Sequence, residues 1–189
     1  MRQLFDRLDR FISARLNQRY ISFVCSSLLA VYLIAVTVSF ATQKNGRTIF
    51  GSDFGADFAS FYIAGKIYNE HDPARVYDQP LHTDLYHRLV SESSADSGLP
   101  FANAPFFVTP FIFLSRLSYT FAYLAWIVIA LGLYLAGIQI ITGSLSNLDR
   151  DARKTALLIS ITFVPFLLEN LAGGQVSAFG FFWLALAIS

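Results

Sequence analysis

Two long stretches without a Lys, Arg, Asp or Glu dominate the pattern, one between Arg19 and Lys44 and one between Arg116 and Asp149. From Lys154 to Ser189 only Glu169 interrupts the apolar chain. A helix needs about 20 apolar residues to cross roughly 30 Å of hydrocarbon. Residues 20–41 and 119–141 meet that length, 155–172 just reach it, and 176–189 read as a fourth span cut short. The pattern predicts an all-α, polytopic transmembrane protein. Its segments are an amphipathic 1–19, transmembrane helices at 20–42, 119–141 and 155–173, and a truncated one at 176–189. A long outer loop at 43–118 and a short cytoplasmic loop at 142–154 connect them.

The outer loop has a pattern of its own. Phe58, Phe61, Tyr62, Gly65 and Tyr68 recur at three- and four-residue spacing, which predicts a short amphipathic helix lying on the membrane. Asp72-Pro73 and Pro80 are helix-starting signals, the second leading a stripe of Leu81, Leu85, Leu89 and Val90. Residues 91–98 read as a polar connection. Pro100, Pro105 and Pro110 then forbid a regular helix through the next apolar stretch, and a re-entrant or interfacial hairpin is expected there.

Composition agrees with a membrane class, since 54% of residues are apolar and only 14% charged. Charge sets the orientation. Arg2, Arg7, Arg10, Arg15 and Arg19 precede the first span, and Arg150, Arg153 and Lys154 lie between the second and third. The positive-inside rule makes both cytoplasmic, so the loop, with eight acids against six bases, faces outward. Leu4, Phe5, Leu8, Phe11, Ile12 and Leu16 give the N-terminal segment an apolar stripe suited to the inner membrane surface. The lone Cys25 permits no intrachain disulfide and reads as a membrane-facing thiol. The apolar ending at Ser189 leads us to expect the N-terminal part of a longer protein, inactive in isolation. A net charge of +1 without a basic, aromatic-interleaved patch points away from nucleic acid.

Asp57 is the leading candidate for chemistry. A carboxylate at a membrane surface, after a flexible Gly55 and before an aromatic helix face, suits a general base acting on a hydroxyl. Asp is equally a favoured N-cap, and a helix beginning at Phe58 would give it that duty. Asp53 competes for both roles. His71, His82 and His87 invite a metal reading, but a five-residue spacing puts the last two about 140° apart on a helix, so no metal or other cofactor is expected. Among Lys66, Arg75, Arg88 and Arg116, the interfacial Arg116 is best placed to hold a phosphate. Glu169, Asn170 and Gln175 lie where the third span reaches the outer face, and an ionisable group at that depth is a functional candidate. Gly173-Gly174 would end that helix and turn the chain tightly.

Three motifs in order carry a resemblance. They are Asp57-Phe-Ala-Ser-Phe-Tyr-Ile-Ala-Gly with Val76-Tyr-Asp, Asn103-Ala-Pro-Phe-Phe ahead of Arg116-Leu-Ser-Tyr, and Asn170-Leu-Ala-Gly-Gly-Gln175. Over residues 20–189 the pattern resembles the N-terminal half of glycosyltransferase family 87, GT-C-type enzymes related to polyprenol-phosphate-mannose-dependent mannosyltransferases. The resemblance implies a hexosyl or mannosyl transfer with inversion, from a polyprenyl-phosphate-linked sugar donor to a lipid or glycan acceptor, at the outer face of a cell inner membrane. It implies Asp57 as catalytic base, with Arg116, Tyr62, Asn103 and Gln175 as substrate contacts. Two departures stand out: Ser177 replaces the family's asparagine after Gly-Gln, and Asn103-Ala104-Pro105 replaces Tyr-Pro-Pro. A transporter, or a non-catalytic membrane scaffold, is the competing reading.

Overall fold

A computed structural model describes residues 18–42, 55–90, 99–145 and 150–189. The amphipathic stripe of the first 16 positions, Asp53 and the 91–98 connection lie outside them. Of the described residues 84% are helical and none forms a strand, so the fold is all-α.

Helices α1 (Gln18–Thr42) and α5 (Tyr119–Ser144) are long and apolar enough to cross a membrane. On α1, Phe23, Leu28, Val31, Leu33, Ile34 and Val38 are all exposed, an apolar surface that suits a membrane-crossing helix. Cys25 departs from expectation: it is buried within the fold and does not face lipid. Helix α5 packs chiefly on α7 (Ser177–Ile188). Gly137 permits the approach, because a Cβ there would stand 2.7 Å from the Phe181 ring. Small residues at such crossings are how membrane helices gain close contact.

The outer loop folds around α2 (Ala56–Glu70). Every residue from Phe58 to Gly65 is buried, as is Ile67. The expected helix lying on the membrane is therefore the core of a small subdomain. Among the elements that cover it are a 3-10 turn Pro73–Tyr77, α3 (Gln79–Leu89), α4 (Thr109–Leu114) and the start of α5. Asp72 caps the turn at the Ala74 amide, and Asp78 caps α3 at the Leu81 amide while pairing with Arg75 at 2.6 Å. Both prolines follow their caps, where a missing amide costs nothing. His82, Leu85 and Tyr86 point inward, whereas Leu89 of the predicted stripe is exposed. The proline-rich stretch forms a short 3-10 turn, Pro105–Val108, leading into α4. Gly65 lets α4 approach so closely that a Cβ there would collide with the Phe111 carbonyl.

The third apolar segment is not one straight helix. It comprises α6 (Arg150–Ile161) and a π-helix (Phe166–Ala172), bent by 61° at the break. Pro165 stands in that break, without an amide to continue the ladder.

Candidate active site

Three chain segments converge where α2 begins. Gly55 starts the helix in the left-handed conformation, φ 66°, and its side-chain-free Cα faces Tyr123 and Tyr119. A Cβ there would stand 2.9 Å from the Tyr123 ring. Because Gly55 is the N-cap, Asp57 falls two positions too late to cap the helix by its side chain. The first amides of the helix are met by backbone carbonyls from elsewhere in the chain. Those of Asp57 and Phe58 both donate to the Gly173 carbonyl at 3.1 Å, and the Gly55 amide donates to the Ala172 carbonyl at 3.1 Å.

This clamp works because the segment before it is a π-helix. A wide i→i+5 turn leaves carbonyls turned outward, and such turns recur at functional sites. Here they are satisfied by tyrosines from other helices. Tyr32 donates to Leu167, and Tyr123 donates to Leu171 and Ala172, at 2.7, 2.7 and 2.8 Å respectively. Trp126 Nε1 donates to the Gly174 carbonyl, and Tyr119 to the Gly55 carbonyl, each at 3.1 Å. Gly174 has φ 77°, and a Cβ there would overlap Phe58. Phe58, fully buried, is ringed by Tyr62, Phe111, Tyr119 and Tyr123 at centroid distances of 5.3 to 5.9 Å.

The result is a half-buried carboxylate with its backbone fixed and its oxygens uncommitted to the helix. Burial pushes the Asp57 carboxyl above the ordinary Asp value of 3.8. A hydrogen bond from the Gln175 side chain opposes that rise, and the charge of Glu169 adds to it. Among the described residues no cation pairs with Asp57 or Glu169. The Gln175 amide is held by the Glu169 carbonyl at 3.1 Å. Beyond Glu169 opens a cavity of about 420 Å³, otherwise walled mainly by Tyr134, Phe163, Phe166, Ala178 and Phe181.

Of the residues expected from the sequence, the structure brings Asp57 and Gln175 together, with Glu169 beside them. Tyr62 is different. It is 2% exposed and its hydroxyl donates to the Leu117 carbonyl at 2.8 Å, so it supports the Arg116 turn from inside the core and does not face a substrate. Arg116 is exposed, its guanidinium 5.6 Å from the Phe113 ring centroid. Asn103 is half-exposed and accepts from Tyr77 through its backbone carbonyl. No contact joins either to Asp57. Asn170 is buried and accepts from the Ala178 amide at 3.0 Å, a cap for α7 supplied from another element. Among the described residues no three His, Cys, Asp or Glu side chains cluster as a metal would require. Sequence reasoning missed Tyr32, Tyr119, Tyr123 and Trp126. Their only signal was a polar atom on otherwise apolar spans.

The all-helical fold thus sets the Asp57 carboxylate against a Gly-Gly-Gln turn, with Glu169 beside it. Residues 101–188 match the family model of glycosyltransferase family 87, a family of membrane glycosyltransferases to which this stretch of the chain is similar. The matched stretch contains Asn103, Arg116, Glu169 and Gln175, and it begins after Asp57 and Tyr62. No curated protein and no solved structure matches the chain.

Proposed function

We propose that the protein is an inverting, GT-C-type glycosyltransferase moving a hexosyl group, such as mannosyl, from a polyprenyl-phosphate donor to a lipid or glycan acceptor. The reaction takes place at the outer face of a cell inner membrane that the chain crosses several times, its N-terminus cytoplasmic. The acceptor hydroxyl gives its proton to an Asp57 oxygen as its own oxygen attacks the anomeric carbon. The bond from that carbon to the phosphate oxygen breaks, and the lipid phosphate leaves with the electron pair. Gln175 orients the carboxylate, while Arg116, on the exposed turn, is the cation assigned to the departing phosphate, with Asn103 on the acceptor side. The apolar cavity beside Glu169 offers the isoprenoid chain a surface next to the reacting group.

One observation carries this reading: the Asp57 and Phe58 amides are satisfied by Gly173 and the helix has no side-chain cap, so the Asp57 carboxylate is left for other work. A raised proton affinity also suits a base that must accept a proton near neutrality. A carrier would hold its polar groups midway across the membrane, whereas here they gather at one end of α5. The test is Asp57→Asn in membranes containing the complete gene product, supplied with labelled polyprenyl-phosphate sugars. Transfer is expected to fall by roughly a hundredfold to ten-thousandfold, the usual contribution of a general base, with expression and insertion intact. Unchanged turnover removes Asp57 from the mechanism.

A further inference from the structure

The far end of α5 carries a second site, unrelated to the first. Ile138, Gln139 and Thr142 on α5 and Arg150, Arg153, Lys154 and Leu157 on α6 enclose a cavity of about 310 Å³. Three cations thus line one small space. Among the described residues only Lys154 has an acidic neighbour within ion-pair distance, Asp151 at 3.9 Å, and both of those side chains are more than half exposed. Arg150 and Arg153 have none among the described residues. The floor is apolar, from Ile138 and Leu157, and Gln139 and Thr142 add polar atoms.

Position decides what such a cavity meets. Tyr123 marks the Asp57 end of α5, and Thr142 lies roughly 28 Å further along the same helix at 1.5 Å per residue. That is close to the hydrocarbon thickness of a bilayer, so the cations sit at the opposite interface. Phosphodiester headgroups are concentrated there, and each Lys or Arg near an anionic surface adds to binding. Guanidinium groups pair with phosphate oxygens through two parallel N–H bonds.

We propose that this cavity binds the headgroup of an anionic phospholipid, Arg150 and Arg153 grasping the phosphodiester while its acyl chains lie along α5 and α6. The full chain is extracted from vesicles of equal phosphatidylglycerol and phosphatidylcholine, and retained lipid is read by native mass spectrometry. One phosphatidylglycerol is expected to stay bound in preference to phosphatidylcholine. The double variant Arg150→Gln, Arg153→Gln should reduce that retention roughly tenfold or more, with its helical circular dichroism unchanged. The pair Arg150→Lys, Arg153→Lys should keep most of it, and Arg88→Gln in the outer loop should change nothing. Equal retention of both lipids by the unaltered chain, or undiminished retention by the Gln variant, overturns the proposal. Displacement of the lipid by millimolar inorganic phosphate also overturns it, because the site would then be one for the free anion.

Discussion

The Asp57 carboxylate lies against Gly173: a methyl group added at residue 173 would stand 3.2 Å from Asp57 Oδ2 and 2.7 Å from the Glu169 carbonyl oxygen. Gly173 has φ −79°, which any residue adopts, so the need for glycine is one of space alone. Gly173→Ala must shift the turn, and the turn holds the start of α2. Displacing a reacting group by about 1 Å can cost a hundredfold in rate. A loss of about that size in kcat, with insertion unchanged, is expected from labelled-sugar transfer. Wild-type kcat would sever the link between turn and carboxylate.

Gly174 poses a different demand. Its φ of 77° is strained for any side chain, and a Cβ would overlap Phe58. Gly174→Ala is expected to destabilise the fold by more than about 1 kcal/mol. A lowered melting temperature in detergent would register this, and an unaltered one would contradict the turn geometry.

Tyr123 supplies one hydroxyl to two carbonyls, Leu171 and Ala172. Tyr123→Phe keeps the ring that packs on Phe58 and leaves those acceptors short of a donor. Unmet buried groups cost about 1 to 3 kcal/mol. Thermal stability should fall by that order, and amide exchange should quicken in the π-helix. Exchange that stays as slow as in the wild type would mean that other donors suffice.

The pH dependence of transfer follows from the Asp57 environment. A general base works only when deprotonated, and burial raises its pKa, so the acid limb of the rate profile should lie above the ordinary Asp value of 3.8. Glu169→Gln removes a charge that raises the pKa, and the limb moves to lower pH. Gln175→Ala removes a hydrogen bond that lowers it, and the limb moves to higher pH. Shifts in the same direction would refute the assignment. Stability has the opposite sense to the usual carboxylate: the folded state holds the proton more tightly, so Asp57 ionisation weakens the fold as pH rises from 3.8 towards the folded pKa.

His82 supplies a second titration, outside the site. It is buried, its Nε2 bonds the Val76 carbonyl at 2.7 Å, and its Nδ1 has no partner. Burial lowers its pKa below 6.5. The unfolded chain therefore takes up a proton first, and stability is lost as pH falls below 6.5. Thermal melts between pH 7 and 5 should show this decline, and His82→Phe should flatten it. A decline unaltered in that variant would place the titration elsewhere.

What the sequence made legible was local. Charge gaps marked α1 and α5, and Asp72-Pro73 and Pro80 marked the starts of the 3-10 turn and of α3, because these signals act within a few residues. The duty of Asp57 was not legible. Whether it capped α2 depended on Gly55 taking the left-handed conformation and on a carbonyl from residue 173, neither of which neighbouring residues dictate. Tyr62 misled for the same reason, since its aromatic periodicity fits a membrane-facing stripe as well as a buried one. Glu169 and Gln175 were visible as polar groups in an apolar run, but their meeting with Asp57 required the π-turn.

Because the π-helix carbonyls are answered by hydroxyls from two other helices, no single hairpin of this protein can build the surroundings of Asp57. During synthesis α2 is made before residues 166–174, and its first amides must wait for their acceptor. The setting of Asp57 thus forms only once residue 173 has been made, so an incompletely inserted chain would hold the carboxylate without the surroundings that tune it.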